Sequence, residues 1–463
     1  MSGIFGVVSK EDCQQELFYG TDYHSHLGTQ FGGLAVYNGQ ITRKIHDIRG
    51  SQFKAKFYED CQNMHGRMGI GVISAKEEQP MVVHSRFGPF AIVTNGFIEN
   101  AKELAEELYK QGQSFSEVTD GTVNFTELVA KLIIRGSSIH EGIEDMFTKI
   151  KGACSLLLLN KDGIYVARDR YGYSPLAIGK NHQSWAVTTE SSAFYNLGFK
   201  VQKYIQPAEV VLIDKDGMQP KCKCCNKNRI CSFLWIYTGF PASSYEGVNV
   251  EISRERCGRS LAKDDNLKAD MVSGIPDSGT AHAIGYSMGS GIPFRRPLVK
   301  YTPGFDRSYT PSSQDTRDLI AKMKLIPIQE IIKGKNIVFC DDSIVRGTQL
   351  KNYTIQKLLD CGAKEIHLRI ACPPLMFPCK FNYSTRTRKE LVARRAIESI
   401  EGKQVNDAEA YLDEDSPKYR KMVDWIAKDL GVATLKYQKL SDMIEAIGLP
   451  ADSLCQYCWT GKE

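Results

Sequence analysis

Asp341 and Asp342 follow an apolar run, Asn336 to Cys340, that is bounded on its N-terminal side by Lys333, Gly334 and Lys335. Such a run reads as a short buried strand, so the two adjacent carboxylates stand at its carboxyl end. Carboxylates in that position accept hydrogen bonds from sugar hydroxyls or help hold a hard cation such as Mg2+. Ser343, Arg346, Gly347 and Thr348 come next, with Thr348 placed to cap a helix running toward Leu359. The first-turn N–H groups of a helix have no partner within it and favour an anion. One loop therefore has the parts to grip both the hydroxyls and the phosphate of a ribose phosphate. The plainer alternative is a βα turn whose acidic pair only caps the helix.

The other chemically distinctive residues are thiols. The chain has 14 cysteines, many for a reducing compartment, so some are expected to bind metal and others to pack as small apolar residues. Cys455 and Cys458 form a C-x-x-C pair near the C-terminus, and Cys222, Cys224, Cys225 and Cys231 crowd the basic segment KCKCCNKNRIC. Adjacent backbone turns carrying C-x-x-C can clamp one metal centre.

The elements that must hold these residues differ between the two halves. Up to about Pro220 the sequence is rich in short strands (GIFGVV, MGIGVI, PFAIVTNG, SLLLLN, GIYVARD, SWAVTTE, EVVLID), with helices at Asn100 to Lys110 and Thr126 to Ile134. This pattern predicts stacked sheets with helices outside. Past the cysteine-rich break, strands and helices alternate as in a parallel α/β sheet, where ligands lie at the carboxyl ends of the strands. With 463 residues there is room for two or three domains. The absence of a long apolar run or signal peptide points to a soluble cytoplasmic protein with no membrane partner. A net charge of +5 without a long basic block argues against nucleic acid and suits an anionic small substrate.

DDSIVRGT resembles the phosphoribosyl pyrophosphate (PRPP) loop of type I phosphoribosyltransferases, in the form found in the glutamine PRPP amidotransferase (amidophosphoribosyltransferase) family. The likeness covers essentially the whole chain. It implies an α+β N-terminal nucleophile domain, an αββα sandwich of the class II glutamine amidotransferase kind, over residues 1–220. An α/β type I phosphoribosyltransferase domain with a cluster-binding tail follows over 221–463. By the same resemblance Ser278, Gly279, Asp341, Asp342, Ser343, Arg346, Gly347 and Thr348 bind PRPP, and Ser278, Asp341 and Asp342 help hold Mg2+. Ser278 belongs to a PDSG segment that would equally suit an N-capped helix. The stretch Tyr301 to Arg317 matches the family's flexible loop through Arg307, Pro311 and Gln314, with Arg307 expected to close over the pyrophosphate. Lys322 and Lys324 add positive charge there or form a solvated helix face.

Three segments match those that ligate a [4Fe-4S] cluster in one branch of the family: Cys231 in CSFLWIY, Cys379 in PPLMFPC, and Cys455 with Cys458 in CQYCWTGK. Structural zinc and reduced free thiols are the alternatives. Cys222, Cys224 and Cys225 read either as metal ligands or as exposed linker thiols.

The N-terminal half departs from the family where glutamine would bind. Ser2 stands in place of the nucleophilic cysteine, and a hydroxyl needs a base to activate it. Leu27 replaces the arginine of QHRGQES, GVISAKE replaces GHVRYST with loss of the arginine that holds the α-carboxylate, and Phe125 replaces the aspartate of SDTE that meets the α-amino group. Asn95 and Gly96 match the oxyanion-hole pair but are expected to survive only as a vestige, no more than a turn. Arg168, Asp169, Gly172, Pro175 and Leu176 persist as scaffold. Downstream, FARPDS becomes TGFPASS, with Phe240 and Ala242 in place of an arginine and an acid.

The expected function is therefore conversion of PRPP and ammonia, or another amine, to 5-phosphoribosylamine and pyrophosphate, an entry to purine synthesis, with glutamine hydrolysis lost. Family habits add nucleotide effectors and a homodimer or homotetramer. The rival expectation is a non-catalytic paralogue that senses PRPP or nucleotides, favoured by the decayed glutaminase and opposed by the intact DDSIVRGT.

Overall fold

Leu156 to Leu159 form an unbroken apolar run, and a strand needs such a run only when both of its faces are buried. The computed structural model, which describes residues 2–28, 30–119, 121–222, 228–301, 323–382, 385 and 387–462, places them in the strand Gly152–Asn160 with alternate side chains in two different cores. Leu157 and Leu159 meet Ile4, Val8, Ile70 and Val72 from a second sheet, while Leu156 and Leu158 pack under Leu104, Leu108, Leu128 and Ile143. Phe5 and Val7, on the outer face of the strand Gly3–Ser9, face Leu17, Phe18, Phe53 and Phe57. Period-two alternation of fully apolar strands thus builds an αββα sandwich.

Both sheets are antiparallel. One has seven strands in the order Lys200–Tyr204, Ala177–Lys180, Ser184–Thr188, Gly3–Ser9, Met68–Ser74, Phe31–Tyr37, Ile41–Asp47. The other has six, in the order Met218–Cys222, Val210–Ile213, Gly163–Ala167, Gly152–Asn160, Gly88–Ile98, Met81–Ser85. Helices Gln14–Asp22 and Phe53–Asn63 cover the first sheet, and Ala101–Lys110, Phe125–Ile133 and Ile139–Lys149 cover the second.

This sandwich is one of two compact units, comprising Met1–Ile230, Ala242–Gly247 and Lys380–Tyr383. The second unit, Cys231–Pro241, Val248–Cys379 and Ser384–Glu463, is built on four parallel strands in the order Met271–Gly274, Asn336–Asp341, Glu365–Ile370, Thr434–Tyr437. Ile337, Val338, Phe339 and Cys340 are buried on both faces of the second of these strands, as its apolar run requires. The flanking helices include Val250–Lys263, Gly279–Ser290, Val392–Glu401, Pro417–Leu430 and Leu440–Ile447. Among the described residues no helix is long and apolar enough to cross a membrane.

Candidate functional site

Asp341 ends its strand in register with Ile370, and on the other side Cys340 pairs with Gly274, the last residue of Met271–Gly274. The loops carrying Ser278 and Asp342 therefore leave the same edge of the sheet from neighbouring strands. They are joined directly, because Ser278 Oγ donates to Asp342 Oδ1 at 2.7 Å. Ser278 opens the helix Gly279–Ser290 without a side-chain capping bond, so its hydroxyl serves the acidic pair rather than the helix. Gly279 allows this approach, since a Cβ there would stand 2.3 Å from the Cys340 carbonyl oxygen.

Asp342 takes a second hydroxyl on its other oxygen, from Ser343 at 2.7 Å, and its N–H donates to Asp341 Oδ1 at 3.0 Å. Burial, and the Asp342 carboxylate beside it, push the Asp341 carboxyl well above the usual carboxylate range, with the Lys324 charge opposing the rise. Two crowded carboxylates with a hydroxyl alongside are a donor set that a hard divalent cation would relieve, so Ser278, Asp341 and Asp342 fit Mg2+. Nearby, Lys300 pairs with Asp277, and the Tyr301 N–H donates to the Lys324 carbonyl at 2.8 Å. Arg307, Pro311, Gln314 and Lys322 lie outside the described residues.

The loop closes as Gly347, at φ +75°, leads into the helix. The first helical bond runs from the Lys351 N–H to the Gly347 carbonyl at 2.9 Å, so Gly347 holds the cap position and Thr348 is the first helical residue, one place further in than the sequence suggests. The helix continues with a π-type stretch over Leu350–Ile355 before Gln356–Asp360. Ser343, Gly347 and Thr348 thus line one short loop with the acidic pair, whereas the Arg346 guanidinium turns to Glu390.

The segments that carry the four predicted cluster thiols, Cys231, Cys379, Cys455 and Cys458, all belong to the second unit and are partly joined by hydrogen bonds. The Ser232 hydroxyl donates to the Cys455 carbonyl at 2.8 Å, and the Met376 and Phe377 N–H groups donate to the Cys458 carbonyl at 2.9 and 3.1 Å. A hydrogen bond with Cys379, then burial and the charges of Cys231 and Cys455, push the Cys458 thiol well up. Burial, followed by Cys455 and Cys379, does the same to Cys231. A cubane takes one thiolate per iron, so these four thiols have the chemistry of its donor set. Among the described residues no group of three or more His, Cys, Asp or Glu is arranged to hold a metal ion. Cys222 ends the strand Met218–Cys222 and packs against the core, while Cys224 and Cys225 lie outside the described residues.

In the first unit Ser2 is buried; its N–H donates to Asn95 Oδ1 at 3.1 Å, and its hydroxyl accepts from the Ala75 N–H at 3.2 Å. Asn95 and Gly96 are not a turn. They sit inside the strand Gly88–Ile98, paired with Ser155 and Cys154, because the two-sided burial of that strand carries its ladder past them. Leu27 is buried. Ser74, at the lost arginine's position, accepts from the Glu77 N–H at 3.0 Å.

Glu77 was not singled out by sequence reasoning, and it changes the site. Its Oε1 accepts the Phe125 N–H at 2.5 Å, and its Oε2 accepts the Thr126 N–H at 3.2 Å and the Thr126 hydroxyl at 2.9 Å. With Asn124 Oδ1 taking the Glu127 N–H at 3.0 Å, the leading donors of the helix Phe125–Ile133 are already used. Burial pushes the Glu77 carboxyl above its ordinary value despite these bonds. Phe125 also stacks edge-on with Phe97, with ring centres 5.5 Å apart. A chain-borne carboxylate and an aromatic pair thus surround Phe125, the position that the family resemblance assigns to the aspartate meeting the α-amino group. The signal was present only as the last letter of GVISAKE, since its partners lie 48 and 49 residues away.

Comparison with known proteins covers both units. A glutamine amidotransferase domain family matches residues 65–196. The chain is 32% identical to an amidophosphoribosyltransferase of Methanocaldococcus jannaschii, covering 100% of this chain and 97% of that protein. It is 29% identical to that of Bacillus subtilis, covering 99% and 93%. The solved B. subtilis glutamine PRPP amidotransferase, complexed with ADP and GMP, superposes with a TM-score of 0.85 at 28% identity over 99% of this chain and 96% of that one.

Proposed function

The chain belongs to the amidophosphoribosyltransferase family, and on that premise we propose that it transfers the phosphoribosyl group of PRPP to ammonia or another amine without hydrolysing glutamine itself. With ammonia the products are 5-phosphoribosylamine and pyrophosphate, which would feed purine synthesis. The observation that carries the transferase reading is the Ser278–Asp342 hydrogen bond, which unites two separate motifs at one sheet edge. The amine lone pair attacks the ribose anomeric carbon as the bond to pyrophosphate breaks, the electron pair leaves with the pyrophosphate, and the proton on nitrogen passes to solvent. Asp341 and Asp342 accept from the ribose hydroxyls, and the N–H groups from Ser343 to Thr348 receive the 5-phosphate. Mg2+ held by Ser278, Asp341 and Asp342 would offset the charge gathering on pyrophosphate. Arg307 enters on the family resemblance alone, as the residue that closes over the pyrophosphate.

The loss of glutamine use rests on Glu77. An amino-acid substrate would have to displace a buried carboxylate that already holds two backbone N–H groups and a hydroxyl, at a site that offers Ser74 and Phe125 in place of an arginine and an aspartate. Asn95 and Gly96 remain as a vestigial oxyanion hole and Ser2 as a degenerate nucleophile. Cys231, Cys379, Cys455 and Cys458 are assigned to a structural [4Fe-4S] cluster. Nucleotides as effectors, a homodimer or homotetramer, and a cytoplasmic setting complete the reading, on analogy with the family. The test is pyrophosphate release from PRPP and Mg2+ by the pure protein, run side by side with ammonia and with glutamine. Release with ammonia alone is the expected result. Glutamine turnover at an ordinary enzymatic rate would refute the loss, and PRPP binding without turnover across a panel of amines would favour a sensor.

A further inference from the structure

The PRPP loop is gripped from behind by the segment that enters the helix Val392–Glu401. The Val345 carbonyl accepts the Val392 N–H at 2.7 Å, and the next carbonyl, that of Arg346, accepts from the Arg395 guanidinium. The Arg346 side chain pairs with Glu390 Oε1, while Glu390 Oε2 accepts the Thr387 N–H at 3.3 Å. Two consecutive loop carbonyls and the one loop arginine are thus held by a single neighbouring element. A loop that receives an anion on its N–H groups must turn its carbonyl oxygens elsewhere, because an oxygen facing phosphate repels it. We propose that Glu390 and Arg395 are positioning residues for PRPP: Arg395 turns the Arg346 carbonyl away from the phosphate, as the Val392 N–H does for Val345, while Glu390 holds the Arg346 side chain, and together they preorganise the loop. This rests on the PRPP reading given above.

The exposure of the Arg346–Glu390 pair, 62% and 26%, argues for local ordering and against a large part in global stability. Ordering a loop before the ligand arrives shows in affinity, since the ligand no longer has to supply that ordering. Glu390→Gln separates the two roles of that side chain, because glutamine still caps at Thr387 but cannot form the ion pair. Arg395→Met keeps the apolar stem without the donor, and Arg395→Lys restores a charged donor.

The measurements are Mg2+–PRPP binding by titration calorimetry on the full chain, KM and kcat with ammonia, and amide hydrogen exchange of residues 343–348. Glu390→Gln and Arg395→Met should each weaken PRPP binding and raise its KM about tenfold, as expected for one charge-assisted hydrogen bond. kcat should change less than twofold, loop exchange should quicken, and Arg395→Lys should recover most of the affinity. Wild-type affinity and exchange in both variants would overturn the proposal, as would a fall in kcat alone. Should Arg395→Met not fold, Glu390→Gln still decides through exchange and affinity. A wild-type chain that binds no PRPP would remove the PRPP reading and this inference with it, whereas normal wild-type binding with unaffected variants removes only the inference.

Discussion

Gly96 shows at the residue scale how tightly the first unit constrains the strand that carries Asn95 and Gly96. Its φ is +152°, and an added Cβ would stand 2.0 Å from the Ala153 carbonyl oxygen on the paired strand. Gly96→Ala must therefore both strain the backbone and push two strands apart, at an expected cost of about 2–4 kcal/mol to the unfolding of this unit. Calorimetric melting measures it, and an unchanged transition would show that the strand does not hold this geometry. Ser2→Cys tests the neighbouring chemistry. A thiolate is a better nucleophile than a hydroxyl, yet Glu77 would still hold the Phe125 and Thr126 donors and Leu27 would still be buried in the lost arginine's place. Ammonia release from glutamine should stay at background in that variant. Recovery by the single change would mean that the nucleophile, not the pocket, had been the missing part.

At the scale of elements, what the sequence made legible was whatever burial writes into local pattern. Asn336 to Cys340 was readable as a strand because both of its faces are apolar, and the observed element, Asn336–Asp341, is one residue longer. Asn100 to Lys110 and Thr126 to Ile134 differ from the observed helices Ala101–Lys110 and Phe125–Ile133 only at their ends. Ile41–Asp47 was not legible: it is the edge strand of the seven-stranded sheet, mostly exposed, and its ITRKIHD pairs through backbone without an apolar face to announce it. Thr434–Tyr437 is likewise too short and mixed to read. Glu77 escaped for a different reason, because its meaning is tertiary and lies in a contact with a distant helix. The thiols are the opposite case, as three separated segments agreed with one pattern. If they hold a cluster, Cys458→Ser removes one of four donors and breaks the bond with Cys379. Iron and labile sulfide in anaerobically prepared protein should then fall to background, with earlier melting of the second unit. Stoichiometric zinc without iron in the parent protein would show the cluster assignment wrong.

For the molecule as a whole, each unit has a core of its own and a histidine buried in it, so acid should act on both. His24, with its ring nitrogens 2.9 Å from the Gly20 carbonyl and the Thr188 hydroxyl, is depressed by burial to about 4. His282, wedged between the Arg254 and Ile236 carbonyls at 3.1 and 3.2 Å, is depressed to about 3 by burial and by the Arg254 charge. In the unfolded chain both return to 6.5, so below that pH the unfolded state binds more protons than the folded one. The stability each histidine contributes is therefore complete above pH 6.5 and is lost progressively as the pH falls toward 4 and 3. At pH 5 the loss is about 2 kcal/mol for each. Glu77 and Asp169, raised by burial, act in the opposite sense, since protonation of the folded state favours it. Their contribution grows as the pH drops through their folded values, which blunts the histidine effect in the first unit. Melting followed from pH 7.5 to 5 should show both transitions moving down. His282→Asn, which keeps a donor toward one of the two carbonyls but cannot take up the proton, should flatten the slope of the second unit and leave that of the first unchanged. An equal slope in that variant would mean that other groups carry the acid response.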